Sequence, residues 1–231
     1  WGAGGANDPG ATIEWPSNAQ AFGGFQAGDT DYSQRDIAGN PSVIAGADAR
    51  RVIISEANAT NIRIDGFTVT NGRTDGASGA GIRLRGLDAS NVIANCRIQY
   101  CVAGNEGGGI LVEAGSNGVI IENCVFYGNS ILKTDDQGGG LSIRSGGNNS
   151  ATVRDCVFEN NEAPYVSDTS GRGGGLAVRE SPNTIIERCE FKNNRARVGG
   201  GLYIRACSPI VTDCIFEGNY GYNGGGLQMT H

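Results

Sequence analysis

The sequence predicts an all-β protein, a parallel β-helix of about six to seven coils, on three observations. The first is a unit of the form GGG-L/I: Gly107 to Ile110, Gly138 to Leu141, Gly173 to Leu176, Gly199 to Leu202 and Gly224 to Leu227, with a degenerate copy at Gly79-Ala80-Gly81-Ile82. The second is a unit of the form C-x-F-x-x-N between those copies, at Cys124 to Asn129, Cys156 to Asn161, Cys189 to Asn194 and Cys214 to Asn219. Weaker copies start at Gly66-Phe67 (ending at Asn71) and at Cys96 (ending at Cys101). The third is the absence of a 3.6-residue apolar period; the segments are short, alternating and bounded by Gly, Asn or Asp. A repeat of 25 to 33 residues, counted between successive cysteines from Cys96 to Cys214, suits one coil of a solenoid.

The elements follow in chain order. Residues 1–20 read as an irregular N-terminal segment, with Trp1, Trp15 and Pro16 placed to pack over a first coil. Residues 21–231 read as a single β-helix. Coils stacked at about 4.8 Å place like side chains in columns. Three columns are expected to point inward: Cys96/Cys124/Cys156/Cys189/Cys214, then Ile98/Phe126/Phe158/Phe191/Phe216, then Leu84/Val112/Ile143/Val178/Ile204/Met229. A fourth, Asn71/Asn129/Asn161/Asn194/Asn219, falls at a corner where Asn tolerates left-handed backbone and bonds the amide above, with Cys101 interrupting it. The glycine triplets mark another corner too crowded for side chains.

Composition narrows the functions. The single histidine is His231, which argues against a Ser-His-Asp triad or a multi-histidine zinc site. A formal charge of −6 argues against nucleic acid as a general partner. No apolar run reaches the roughly 18 residues of a membrane helix. The only methionine is Met229, so a leader removed by processing or by the choice of boundaries is expected ahead of Trp1. Seven cysteines cannot all pair within the chain, and the five in one inward column are expected to be buried thiols.

The F-x-x-N and GG[AG]-[ILV] pairs resemble the repeats of chlamydial polymorphic membrane proteins, which are surface adhesins. From about residue 20 to 231 the chain resembles secreted right-handed parallel β-helix proteins of the broad pectate-lyase-like superfamily. Ala21 to Phe25, Ser33 to Asp36 and Asn40 to Ile44 resemble their lead-in coil, and Ile62 to Gly72 their first regular coil. The resemblance implies a right-handed solenoid at the cell surface or outside the cell. For activity it leaves lyases, glycosidases, adhesins and spacers open.

The outward columns carry the candidate sites. Glu122/Arg154/Glu187, Asp155/Arg188/Asp213 and Glu159/Lys192/Glu217 alternate in sign, as laterally stacked charges should. The column Arg85/Glu113/Arg144/Arg179/Arg205/Thr230 does not. Arg144, Arg179 and Arg205 stand on three successive coils, and guanidinium groups suit carboxylate or sulfate. With Tyr203 in the adjacent column as a sugar-stacking platform, and Arg172 close by, they form a candidate face for glycans or neighbouring proteins. Two longer connections, 130–137 and 162–172, bring Asp135, Asp136 and Asp168 together as possible calcium ligands. The alternative reading is a polysaccharide lyase or glycosidase acting on acidic polysaccharide through those loops. The sequence also stops within a coil, so the native protein is expected either to continue or to pair head to tail with a second copy.

Overall fold

The computed structural model describes residues 12–113, 115–133, 137–144, 150–164 and 171–231. Every strand pairing in it is parallel, and the strands form sheets of eight, seven, seven and three members. The chain winds through them in turn. Sheet A runs from Ile13–Trp15 through Ile53–Ser55, Ile82–Leu84, Ile110–Val112, Leu141–Arg144, Leu176–Arg179 and Leu202–Arg205 to Leu227–Thr230. Sheet B includes Arg63–Asp65, Val92–Ala94, Asn117–Glu122, Ser150–Arg154 and Ile185–Glu187; sheet C includes Phe67–Thr70, Arg97–Gln99, Val125–Tyr127, Val157–Glu159, Glu190–Lys192 and Ile215–Glu217. Sheet D is the short wall of Arg73–Thr74, Val102–Ala103 and Ser130–Ile131.

Regular structure begins earlier than the expected boundary at residue 20. Ile13–Trp15 pairs with Ile53–Ser55, and Gln20–Phe22 pairs with Arg63–Asp65. The alternation of Ile13, Glu14 and Trp15 suffices for a short edge strand, and Trp15 is buried with its indole N–H donating to the Ala19 carbonyl at 3.0 Å. Trp1 lies outside the described residues.

Register puts the repeat motifs in columns. Ile98, Phe126, Phe158, Phe191 and Phe216 are direct partners on neighbouring strands. The four phenyl rings stack at centroid separations of 4.6, 4.9 and 4.8 Å with planes within 9° of parallel. That spacing is the strand separation itself: identical side chains on in-register parallel strands have no freedom to pair edge to face. Leu84, Val112, Ile143, Val178, Ile204 and Met229 form the expected column of sheet A.

The bend from sheet B to sheet C is made by one left-handed residue per coil. Asn95, Asn123, Asp155, Arg188 and Asp213 occupy it with φ between 50° and 53°. Four of the five are Asn or Asp, the side chains that tolerate this conformation best. A cysteine follows each. Its S–H donates to the carbonyl two residues back, at 3.1 Å for Cys96 and Cys156, 3.2 Å for Cys124 and Cys214 and 3.4 Å for Cys189. The cysteine column is therefore a hydrogen-bonded lining of the bend, with all seven thiols free.

The corner after sheet C carries an amide ladder. The Asn161 Oδ1 accepts from both the backbone N–H and the side-chain amide of Asn129, each at 3.0 Å. The Asn161 Nδ2 donates to the Phe126 carbonyl and to Asn194 Oδ1, both at 2.9 Å. Asn194 and Asn219 repeat the pattern, and Cys101 ends it, its N–H donating to Asn129 Oδ1 at 3.0 Å. Asn71 does not belong to this ladder. Thr70 pairs with Gln99, so Asn71 sits level with Tyr100, in the left-handed position that Gly128, Asn160, Asn193 and Gly218 also fill, and Gly72 holds the ladder level. Val69, the partner of Ile98, holds the Phe level and Phe67 lies two residues ahead of it, so Asn71 falls one residue short of the ladder.

The second glycine of each triplet is where coils come closest. A Cβ on Gly139 would stand 2.5 Å from the Glu162 carbonyl oxygen and 2.6 Å from that of Gly174, which no side chain tolerates.

The lead-in segment is tied to the solenoid by a buried carboxylate. Asp65 accepts from Arg35, from Asn95 Nδ2 at 2.9 Å, and from Arg63 Nε and Nη2 at 2.9 and 2.7 Å. Burial works to raise the Asp65 carboxyl, but the bonds from Asn95, Arg35 and Arg63 outweigh it and hold the group below its ordinary 3.8. A carboxyl depressed in the folded state stabilises above its unfolded pKa and loses that contribution as pH falls through the folded value. The urea midpoint should therefore drop as pH falls below 3.8, and Asp65→Asn should flatten that decline while lowering the midpoint near neutrality. An unchanged slope in the variant would remove Asp65 as the acid-sensitive tie.

Candidate ligand-binding face

The site is built on the outer surface of sheet A. Side chains alternate along a strand, so Leu111, Ser142, Ala177 and Tyr203 form one outward column, and Glu113, Arg144, Arg179 and Arg205 form the next. Register confirms both: Arg144 pairs with Arg179, Arg179 with Arg205 and Arg205 with Thr230, while Leu111, Ser142, Ala177, Tyr203 and Gln228 are successive partners. Three arginines thus stand on adjacent strands at a spacing of about 4.8 Å. Arg144 and Arg179 are about a third exposed and Arg205 is exposed.

Their counter-charges are uneven. Arg144 Nη1 lies 3.0 Å from Glu106 Oε2, a carboxylate whose side chain is 5% exposed. Glu106 precedes the glycine corner and Arg144 ends the following coil's strand, so the two side chains meet across the outer surface of the sheet. Leu111 and Ser142, which point outward there, are buried. Arg179 Nε has the longer contact of 3.9 Å with Glu180. Arg205 has no ion-pair partner among the described residues. Lower on the same face Arg83 pairs with Glu113, and Arg51 donates to the Gly79 and Ser78 carbonyls at 2.8 and 2.9 Å. Burial first, then the charge of Arg83, draws Arg51 below its ordinary value. The positive character of the face therefore grows from Arg144 towards Arg205.

The expected residues divide. Arg144, Arg179 and Arg205 form one row. Arg172 does not stand in it but in the column just ahead of the glycine corner, paired with Gln137 on one side and Val198 on the other. Tyr203 is corrected: it is 3% exposed, and its hydroxyl lies 3.1 Å from Thr230 Oγ1, so its ring offers no platform to a sugar. An outward position in this sheet is not an exposed one: Leu111, Ser142 and Ala177 of the same column are buried as well. Asp135, Asp136 and Asp168 fall outside the described residues, and among the described residues no group of three or more His, Cys, Asp or Glu is placed to hold a metal.

Glu106 was missed by the sequence reading, which followed strand positions and triplets. The position immediately ahead of each triplet holds Ser78, Glu106, Gln137, Arg172, Val198 and Asn223, a column of its own that spacing alone reveals. Gln137 is 3% exposed and its Oε1 has no hydrogen-bond partner among the described residues. Two of the three sign-alternating columns carry an ion pair between coils, Arg154 with Glu122 at 2.6 Å and Arg188 with Asp155 at 2.7 Å, whereas in the third Lys192 pairs with Glu190 of its own strand.

Among the described residues no helix is long and apolar enough to cross a membrane. A family model described as a right handed beta helix region matches residues 17–231. No curated protein and no solved structure matches the chain.

Proposed function

Since the chain belongs to the right-handed β-helix family, we propose that it is a secreted or surface-displayed structural solenoid that binds an acidic glycan along sheet A. The observation that carries the reading is the in-register row Arg144, Arg179, Arg205, with its partial counter-charge from Glu106 and Glu180. Guanidinium groups one strand apart repel unless an anion bridges them, and a linear polymer of carboxylates or sulfates supplies one along the whole row. The exposed end of the row, at Arg205, is where such a chain gains most.

The expected result is retention of the protein on an acidic polysaccharide column, lost progressively with salt. Arg179→Glu with Arg205→Glu should weaken binding about 100-fold, on the scale of 1.5–3 kcal/mol for each hydrogen bond to a charged group. Equal binding of the variant, or equal retention on a neutral polysaccharide, would refute the reading. The second reading, a polysaccharide lyase or glycosidase, draws on Glu106, a buried carboxylate on this same face. Release of shorter or unsaturated products from the bound polymer, abolished by Glu106→Gln, would establish it instead.

A further inference from the structure

Outside sheet A the densest set of reactive groups is the thiol column of the bend between sheets B and C. Cys96, Cys124, Cys156, Cys189 and Cys214 are all free. They precede strand positions that are direct partners, so one thiol stands on each of five successive coils. Neighbouring members of the column are therefore one strand spacing apart, about 4.8 Å. Lining a bend takes one small apolar group per coil, and Val or Ala would supply it. Five thiols stacked one strand spacing apart offer a chemistry that bare packing does not use.

We propose that adjacent thiols of this column form a site for a linear, two-coordinate, soft divalent cation of the Hg(II) class. The geometry is the first reason. Two metal–thiolate bonds of about 2.3 Å placed in line span about 4.6 Å, close to the 4.7–4.9 Å between hydrogen-bonded strands. Such an ion therefore fits between two coils with little displacement of either backbone. Charge is the second reason. The column is buried for four of its five members, and a divalent ion with two thiolates is neutral, whereas a monovalent ion would leave a net negative charge in the core. The third reason is selectivity. A column supplies donors above and below an ion but none to the sides, so a tetrahedral ion such as Zn(II) finds no complete set there, in keeping with the lack of any three-ligand cluster among the described residues.

The reaction balances as one cation plus two S–H groups giving one S–metal–S unit and two released protons.

The test is titration of the folded protein with Hg(II) alone, followed by the thiolate charge-transfer absorption and by proton release. The proposal expects saturation at two ions per chain from five column thiols, with two protons released per ion. X-ray absorption should show two sulfur neighbours at about 2.3 Å. In Cys124→Ala with Cys189→Ala no two column thiols remain adjacent, although five thiols remain in the chain. Affinity should then fall more than about 100-fold, while Cys101→Ala, outside the column, leaves it unchanged. If the double variant does not fold, the sulfur count in the unaltered protein decides alone. Three or four sulfur neighbours, equal affinity in the double variant, loss in Cys101→Ala, or equal competition by Zn(II) would each overturn the proposal.

Discussion

Replacing Phe158 by Ala should lower the free energy of unfolding by about 3–5 kcal/mol, the range for a large buried ring removed from a packed core. Phe158 is fully buried, with Phe126 at 4.6 Å on one face and Phe191 at 4.9 Å on the other. The surrounding walls are hydrogen-bonded at fixed separation, so they cannot close on the space left behind, and the loss falls at the upper part of the range. Phe216→Ala is the internal comparison. That ring has a described stacking partner on one face and is incompletely buried, and its removal should cost about half as much. Urea unfolding measured by circular dichroism reads both. A loss below about 1 kcal/mol for Phe158→Ala would mean that the column does not carry the core.

The second large effect belongs to the amide ladder. Asn161→Ala removes two donated and two accepted bonds at once, leaving the Asn129 N–H and Nδ2 and the Phe126 carbonyl without their partner in a buried corner. Each unsatisfied buried group costs about 1–3 kcal/mol, so a total of about 3–4 kcal/mol is expected. The comparison here is Asn219→Ala. Asn219 bonds to Asn194 and Phe191 on one side of itself in the described structure and is partly exposed, so water replaces some of what is lost. A midpoint shift for Asn161→Ala no greater than that for Asn219→Ala would show that the ladder follows the fold and does not hold it.

These two columns were legible in the sequence because in-register parallel stacking writes the same residue type once per coil. Cys124, Phe126 and Asn129 recur at Cys156, Phe158 and Asn161, and no other common architecture needs that. The candidate site was less legible. The arginine row follows from the same register, but alternation assigns Tyr203 outward and so to the surface, where it does not lie. Alternation says which side of the sheet a residue faces; it says nothing of what crosses that side, and the Glu106 and Arg144 side chains do so further down. Glu106 itself lies ahead of a corner, where neither helical nor strand periodicity marks it. Asn71 shows the limit of motif counting: Val69 and not Phe67 stands at the Phe level, so the asparagine falls one residue short of the ladder, on the left-handed position beside it.

The unequal length of the coils has a mechanical corollary. Between successive cysteines of the bend the chain holds 28, 32, 33 and 25 residues, although every coil rises by the same single strand spacing. A solenoid whose coils touch only their neighbours gives way level by level when pulled along its axis. At up to about 3.6 Å per extended residue, the shortest of these levels pays out about 90 Å of slack and the longest about 120 Å. The rod is thus stiff and uniform while wound, yet it absorbs a sudden load in instalments of different size.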